Sequence, residues 1–408
     1  MKKIMMIGSA LLVLSSSVFA TEARLLALGM KETDNEGMYY VQDGRNIFLN
    51  SAYVNNYADQ LVTEYGGAGN VFATGTTAST NSSTKAKAQG GVFKKYGGMV
   101  YGAYFGNESN TSSLLRILGT SDTFTNTRLL QTTDNQLDLF VAGDAGLKWG
   151  ANVLYANGKD EGTLKSKDSA ITTRLGLIGS NWDAHANISL GSKSEMASTA
   201  GTQAFKGKLG IHVGGSYAVG PGKAFGYVKT YSWDQENTGV TTVKGSFTSY
   251  YLGYGNESTV NTSDKLIASL AFRKTDINVK YASASTVHTV AVPVTLGYEA
   301  RANDWLTVRG SVVQNLYGKK DNGNLTSASL NATAQGAVAS TYGSNGKSTI
   351  ANSTEVNAGA TLTFGQISID GLLAISGASR TAANSTATNN GVLAGDNLLS
   401  KVGLTYKF

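Results

Sequence analysis

The chain has 408 residues and a formal net charge of +6, and it contains no cysteine, two prolines and 49 glycines. So small a charge for this length does not indicate nucleic-acid binding, and the absence of cysteine excludes a disulfide-stabilised fold. No segment is apolar over the roughly 18 residues that a membrane-spanning helix needs.

The first twenty residues have the three-part pattern of a secretory signal peptide. Two lysines precede an apolar run over residues 4–14, and small and polar residues lead to Ala20. The alternative, an N-terminal membrane anchor, needs a longer apolar run. The pattern predicts cleavage after Ala20, which removes both lysines and lowers the formal charge to +4.

From residue 59 onward, segments of the chain alternate apolar with polar residues, which is the pattern of a strand with one apolar face. The connections between these segments are alternately short and long, and 255–264 is the one exception. Sixteen strands are predicted, and boundary errors of about two to four residues leave 14 to 18 within range. They cover residues 59–65, 86–95, 99–106, 135–142, 147–157, 168–178, 182–191, 204–219, 224–233, 243–254, 265–284, 287–300, 305–317, 353–364, 367–376 and 399–408.

The predicted fold is all-β, a closed antiparallel transmembrane β-barrel of about 16 strands. Strands of about ten residues suit a tilted crossing of the hydrocarbon core, and a barrel leaves no unpaired sheet edge. A soluble β-sandwich is the main alternative, and a secreted β-helix needs a short repeat that the sequence lacks.

The segment AFGYVKTYSW is expected to turn its aromatic residues toward lipid. Phe225, Tyr227, Tyr231 and Trp233 share one face with Lys229. A lysine facing lipid at the bilayer midplane costs about 2–4 kcal/mol. Either Lys229 lies at the membrane interface, or the alternation slips in this strand.

The alternating strands and the final strand resemble Gram-negative outer-membrane porins. In that family, a last strand like Val402, Leu404, Tyr406 and Phe408 is a signal for the barrel-assembly machinery. The resemblance implies a bacterial outer-membrane location, contact with outer-membrane lipid and lipopolysaccharide, and a homotrimer as one assembly to test. It implies neither a cofactor nor a nucleic-acid partner.

The N-terminal segment resembles the long-chain fatty-acid transporter superfamily. ARLLALGM at 23–30 matches its Arg-x-x-Ala-Leu-Gly stretch, whereas Asn50-Ser51-Ala52 replaces an Asn-Pro-Ala motif. The resemblance implies that this segment packs within the lumen or at the periplasmic mouth. The predicted organisation is a signal peptide at 1–20, an N-terminal segment at 21–58 and a barrel at 59–408.

Catalytic and metal-binding motifs are not found in the sequence, and no catalytic or metal-ligating residue is assigned. His185 and His212 fall on the predicted lumen face of neighbouring strands, where a metal or acid/base site is the alternative to a polar lining. The sequence therefore predicts a protein that is not an enzyme.

Charged residues on the predicted inner faces are expected to line a pore and to give it a weak anion preference. The alternative is that they only keep the lumen hydrated. The long loop 107–134 carries an apolar cluster and is predicted to fold into the barrel; an inter-subunit latch is the alternative. The predicted pore-lining residues are Arg116, Arg128, Asp138, Lys148, Arg174, Lys206, Lys208, Glu299, Arg309 and Glu355.

The function predicted from these features is passive diffusion of small hydrophilic solutes and ions through a water-filled lumen. One alternative is a transporter of hydrophobic substrates with an N-terminal plug. The other is a structural or adhesive surface barrel that acts through its long loops.

Overall fold

A computed structural model describes the fold of the chain. The described residues are 21–30, 39–66, 88–107, 136–161, 165–198, 201–238, 240–261, 263–281, 283–323, 346–349, 354–377 and 401–408. The predicted signal peptide and nearly all of loop 107–134 lie outside these residues.

The described residues form three short helices followed by strands. The helices are α1 (Glu22–Ala27) and two 3-10 helices, Gly44–Phe48 and Ser51–Asn56. The strands are β1 (Gln60–Gly66), β2 (Ala88–Tyr96), β3 (Met99–Phe105), β4 (Gln136–Asp144), β5 (Lys148–Asp160), β6 (Lys165–Ile178), β7 (Trp182–Ser198), β8 (Gly201–Gly207), β9 (Gly210–Val219), β10 (Gly222–Asn237), β11 (Val240–Thr259), β12 (Lys265–Tyr281), β13 (Ser283–Arg301), β14 (Leu306–Gly323), β15 (Gly346–Thr349), β16 (Glu355–Phe364), β17 (Ile367–Gly377) and β18 (Lys401–Lys407).

These strands close into one antiparallel barrel. Strands β8 and β9 together fill one position between β7 and β10, and β15 and β16 both pair with β14. The barrel therefore has sixteen strand positions. It closes because β1 pairs with β18 as well as with β2. The predicted closed barrel and its sixteen strands are confirmed.

Several strands are longer than the sequence pattern predicts, and the extra length lies at the end of the long connections. The predicted loops 158–167, 192–203 and 234–242 are largely strand. Beyond the apolar band both faces of a strand are polar, so the alternation that marks a strand disappears there. At the opposite end, β11 continues to Thr259, which leaves a short turn where the sequence suggested the exceptional connection 255–264.

The outer face of the barrel is apolar. Large apolar side chains more than one-third exposed occur on strands all around it, including Leu139, Leu175 and Leu252. Exposed aromatic residues near the short turns, such as Trp182 and its cross-strand neighbour Tyr217, are typical of a membrane-interface girdle. A soluble protein rarely exposes so much contiguous apolar surface, so the chain is a transmembrane β-barrel.

In the final strand, outward-facing apolar residues alternate with inward-facing residues, as predicted. Its apolar members are partly or largely exposed on the outer face, whereas Gly403 and Thr405 are buried on the inner face. The backbone N–H of Phe408 donates to the Asp59 carbonyl at 3.2 Å, where the two ends of the barrel meet. A role of Val402, Leu404, Tyr406 and Phe408 as an assembly signal stays a prediction.

The prediction for the aromatic residues of β10 is wrong. Phe225, Tyr227, Tyr231 and Trp233 are at most 8% exposed and lie on the inner face, with Lys229 buried among them. The other face of β10 carries the exposed Val228 and Thr230. An apolar face points inward here because the interior of the barrel is packed with protein rather than filled only with water.

Among the described residues, no helix is long and apolar enough to cross a membrane.

Candidate functional site: the lumen and its N-terminal segment

The described residues of the N-terminal segment, 21–30 and 39–58, lie inside the barrel. Among those described, all are buried except Leu26, Gln42, Asn55, Asn56 and Ala58. The segment contacts every one of the sixteen strand positions, which is achieved only from within a closed barrel. The contacted residues are Glu64, Gln89, Tyr104, Gly143, Trp149, Leu177, Ala184, Gly214, Phe225, Glu257, Ser269, Glu299, Ser311, Gly359, Asp370 and Gly403.

A buried ion-pair network joins α1 to one side of the barrel wall. The Arg24 guanidinium lies 2.9 Å from Glu299, 3.0 Å from Asp43 and 3.9 Å from Glu257. Glu299 also pairs with Arg309 at 2.9 Å, and Arg309 pairs with Asp370 at 3.3 Å. Because Arg24 and Arg309 share Glu299, loss of either arginine leaves buried carboxylates undercompensated.

A second network holds the segment to strands β1 and β3. Arg45 donates to Glu64 at 2.9 Å, to the Tyr104 hydroxyl at 3.2 Å and to Asn107 at 3.1 Å. The amide of Glu22 donates to the other carboxylate oxygen of Glu64, also at 2.9 Å. The two networks together attach the N-terminal segment at several points around the wall.

The 3-10 helix Ser51–Asn56 lies directly against the strand backbones. The Asn50 side-chain amide donates to the carbonyls of Leu177 and Ala184, and its Oδ1 accepts from the amide of Ala52. A Cβ atom on Gly176 would overlap Asn50 Oδ1. This close approach requires glycine at position 176.

We expect Gly176→Val to displace this helix, because the added side chain occupies the place of the Asn50 amide. A cysteine introduced at the buried Val54, in a chain with no other cysteine, should then react faster with a maleimide. Gly191→Val is the matched control, since a Cβ there meets nothing within 4 Å. Equal labelling of the two glycine variants would contradict the role assigned to Gly176.

An aromatic column lines the inner face of β10 and β11. Phe225 stacks on Tyr251 with ring centroids 5.5 Å apart, and Tyr227 stacks on Tyr251 at 5.3 Å. Further toward the long loops, Tyr231 stacks on Phe247 at 4.7 Å. Phe225 to Trp233 spans eight residues, or about 26 Å along an extended strand.

The N-terminal segment covers the lower end of this column. Tyr39 stacks on Phe225 with a centroid separation of 5.2 Å and an interplanar angle of 2°. Tyr40 contacts the same ring at 5.4 Å, and its hydroxyl donates to Ser269 at 2.8 Å. A planar apolar ligand at this position would compete with Tyr39.

His185 and His212 are brought together as the sequence suggested, with ring centroids 4.8 Å apart. Tyr227 packs edge-on against His212 at 4.8 Å, and Tyr39 lies 5.7 Å from His185. The described residues contain no group of three or more potential metal ligands. The two histidines belong to the aromatic wall of the lumen.

Asp138 and Arg174 face inward and form a buried pair with a separation of 2.5 Å, and both side chains are fully buried. Arg174 also donates to the Asn152 side chain, and its guanidinium lies 5.9 Å from the ring of Phe48. This charge pair therefore contacts the N-terminal segment.

The remaining predicted pore-lining residues differ in their placement. Arg309 is buried in the network of Arg24, Lys148 donates to Asn56 at the short-turn rim, and Glu355 lies opposite the inward-facing Val313. Arg116 and Arg128 lie outside the described residues. A role of any of these residues in solute passage stays a prediction.

Lys206 and Lys208 lie on the outer face, not in the lumen. They pair with Glu236 at 2.6 Å and Asp234 at 2.9 Å, on the face of β10 opposite Trp233. The prediction fails because the chain changes face at the break between β8 and β9. Phe205 faces inward, whereas Leu209, which an unbroken strand would place on the same face, is exposed on the outer face. A single alternation over 204–219 does not include this change of face.

Sequence analysis did not identify the carboxylates Glu64 and Asp370 or the tyrosines Tyr39 and Tyr40 as parts of the site. Both carboxylates lie on inner strand faces. The alternation of the strands therefore predicts that they face the lumen, but it does not predict which side chains they contact. The charged residues Arg24, Asp43 and Arg45, in a segment that the resemblance places inside the barrel, are the signal from which buried partners on the strands can be inferred.

Burial raises the pKa of the Asp43 carboxyl to about 6, although Arg24 and the amide of Arg45 favour its ionised form. Asp43 binds its proton more tightly in the docked segment than when hydrated. Its contribution to docking is therefore complete below about pH 4 and is lost as the pH rises through 6.

We accordingly expect docking of the N-terminal segment to tighten when the pH falls from 7 to 5. Single-channel recording should show a lower open probability at pH 5. Asp43→Asn should reduce this pH dependence while keeping the hydrogen bond to the Arg45 amide. An open probability that rises on acidification in the original chain, but not in the variant, would contradict the assignment.

Comparison with known proteins adds the following. No family model and no curated protein matches the chain. The toluene transporter TodX of Pseudomonas putida is 11% identical, with 96% of this chain and 99% of that chain covered and a TM-score of 0.35. OmpT, an outer membrane protein of Vibrio cholerae, is 12% identical over 86% and 96% with a TM-score of 0.33. An anion-selective porin from Comamonas acidovorans is 12% identical over 65% and 86%, with a TM-score of 0.28. Likenesses this distant carry no argument about function.

Proposed function

We propose that the protein is an outer-membrane transporter for small hydrophobic solutes, whose lumen is closed by a displaceable N-terminal segment. The observation that carries this proposal is the packing of residues 21–30 and 39–58 against all sixteen strand positions. A general diffusion pore needs an open aqueous path, whereas here buried side chains cross the lumen.

The aromatic column supports a hydrophobic and preferably planar solute. Stacked aromatic pairs contribute about 0.5–1.5 kcal/mol beyond their buried area, so a ligand ring that replaces Tyr39 on Phe225 recovers a comparable contact. Exchange of Tyr39 for solute would couple binding to displacement of the segment.

Passive diffusion of hydrophilic solutes is the second candidate. The half-buried polar residues Thr275, Thr289 and Asn315 on the inner faces of β12 to β14 favour it. A route past the N-terminal segment along this side would not involve the aromatic column.

Two measurements on the purified full chain separate the candidates. A hydrophobic transporter should give slow liposome swelling in hydrophilic sugars and saturable binding of naphthalene. Naphthalene binding should weaken in Phe225→Ala with Tyr251→Ala, and it should be unchanged in Tyr250→Ala on the outer face of the same strand. Fast swelling in sugars without saturable naphthalene binding would favour the diffusion pore instead.

A further inference from the structure

Two carboxylates flank a glycine on the inner wall of the barrel. Gly403 of β18 lies directly opposite Glu64 of β1 on one side and Asp370 of β17 on the other. Neighbouring strands are about 4.8 Å apart, so the backbone positions of the two acidic residues are about 10 Å apart. Both acidic side chains are buried. The bare backbone of Gly403 leaves room between them for another part of the chain.

Thr21 and Glu22 occupy this space. Thr21 is fully buried, and a Cβ atom on Gly403 would overlap the Thr21 side chain. The Thr21 hydroxyl donates to the Asp370 carboxylate at 3.2 Å, and the backbone amide of Glu22 donates to the Glu64 carboxylate at 2.9 Å. The backbone nitrogen of Thr21 therefore belongs to the residue that bridges the two carboxylates.

Buried carboxylates outnumber buried cations around this bridge. Glu257, which is more exposed, has Lys265 as its own partner at 2.6 Å. Burial raises the pKa of Asp43 to about 6, and the charge of Asp370 adds to the rise. Uncompensated buried charge is costly, so one more cation here would stabilise the docked segment. Among the described residues in and around the two networks, the charged side chains at most 8% exposed are three arginines, Arg24, Arg45 and Arg309, and five carboxylates, Glu22, Asp43, Glu64, Glu299 and Asp370.

We propose that Thr21 is the first residue of the mature protein and that its α-ammonium group binds between Asp370 and Glu64. Hydrolysis of the peptide bond between Ala20 and Thr21 uses one water molecule, leaves a carboxylate on Ala20 and transfers the carboxyl proton to the new amine on Thr21. An uncharged peptide N–H is thereby replaced by a cation. Its hydrogen bonds to carboxylates are charge-assisted, which are the strong ones.

The start of α1 is compatible with cleavage before Thr21. The Thr21 carbonyl accepts from the amide of Arg24 at 2.9 Å and from the amide of Leu25 at 3.3 Å. These atoms all lie on the C-terminal side of the cleaved bond. Removal of the signal peptide therefore leaves the helix intact and adds the charge that completes docking. The inference rests on closure of the lumen by this segment, as in the proposed function, and not on the identity of the solute.

The first test is intact mass spectrometry of the protein purified from the outer membrane. We expect the mass of residues 21–408. A chain that begins at any other residue would overturn the assignment of Thr21 as the first residue of the mature protein.

The second test measures the effect of the charge. Two refolded chains of residues 21–408 carry Ala23→Cys and differ only in an acetyl group on the Thr21 nitrogen. Ala23 is 2% exposed, and the chain has no other cysteine. We expect the acetylated chain to react with a maleimide about tenfold faster, because it lacks the hydrogen bonds between the ammonium group and the carboxylates. Labelling is measured on the folded fraction, which is separated by its faster migration in an unheated gel.

Asp370→Asn separates the charge of the acetylated nitrogen from its size. In this variant, acetylation should change the labelling rate much less than in the original chain, because one of the two carboxylates that bind the ammonium group is gone. Equal labelling of the free and acetylated original chains would overturn the proposal, and so would an equal effect of acetylation in Asp370→Asn. Neither test uses a solute, so their failure is distinguishable from failure of the hydrophobic transport proposal.

Discussion

Replacing Arg24 with glutamine is expected to raise the single-channel conductance of the barrel several-fold. The substitution leaves Glu299, Asp43 and Glu257 without the buried guanidinium that lies between them. Breaking a buried ion pair by removing one partner costs about 3–5 kcal/mol, and each 1.4 kcal/mol shifts an equilibrium about tenfold. Docking of residues 21–58 should weaken accordingly.

Planar-bilayer recording checks this expectation, and protease sensitivity of the N-terminal segment provides a second measurement. Arg301→Gln is the matched control, because its exposed guanidinium pairs only with Asp304 at 3.1 Å among described residues and the charge change is the same. The barrel strands should remain protease-resistant in both variants. Unchanged conductance and unchanged protease resistance in Arg24→Gln would show that this network does not hold the segment.

The barrel is predictable from the sequence because a strand in a membrane alternates between lipid and interior at every residue. The period of two is visible in β13, where Val294, Leu296 and Tyr298 face outward and Glu299 faces inward. The same period, applied across the break between β8 and β9, assigns Lys206 and Lys208 to the wrong side. A change of face without a change in residue type leaves no sequence signal.

The interior is predictable only in part, because an apolar strand face can pack against lipid or against protein inside the barrel, and the alternation does not distinguish the two. Phe225 and Trp233 were expected to face lipid, yet both are buried on the inner face of the barrel. There Tyr39 of the N-terminal segment stacks on Phe225. The resemblance at Arg24 predicts where the segment lies. It does not predict the network in which Arg24 pairs with Glu299, Glu299 with Arg309, and Arg309 with Asp370.

Arg174→Met is expected to destabilise the barrel by about 3–5 kcal/mol, because Asp138 then becomes a buried charge without its partner. Both side chains of this pair are fully buried. The double variant Asp138→Leu with Arg174→Met should recover most of the loss, since apolar residues often replace a buried ion pair without net cost. Urea unfolding in lipid vesicles measures both free energies of unfolding.

Comparing the Arg174 and Arg24 variants also separates loss of barrel stability from displacement of the N-terminal segment. The Arg174 side chain pairs with Asp138 within the wall, and its guanidinium lies 5.9 Å from the ring of Phe48, whereas Arg24 belongs to the N-terminal segment itself. The Arg174 variant should therefore lose unfolding free energy, and the Arg24 variant should mainly gain conductance. Arg301→Met, which breaks an exposed pair, should change stability by less than about 1 kcal/mol. If the double variant were no more stable than Arg174→Met, the loss would come from the missing contacts of arginine with Asn152 and Phe48 rather than from the unpaired carboxylate.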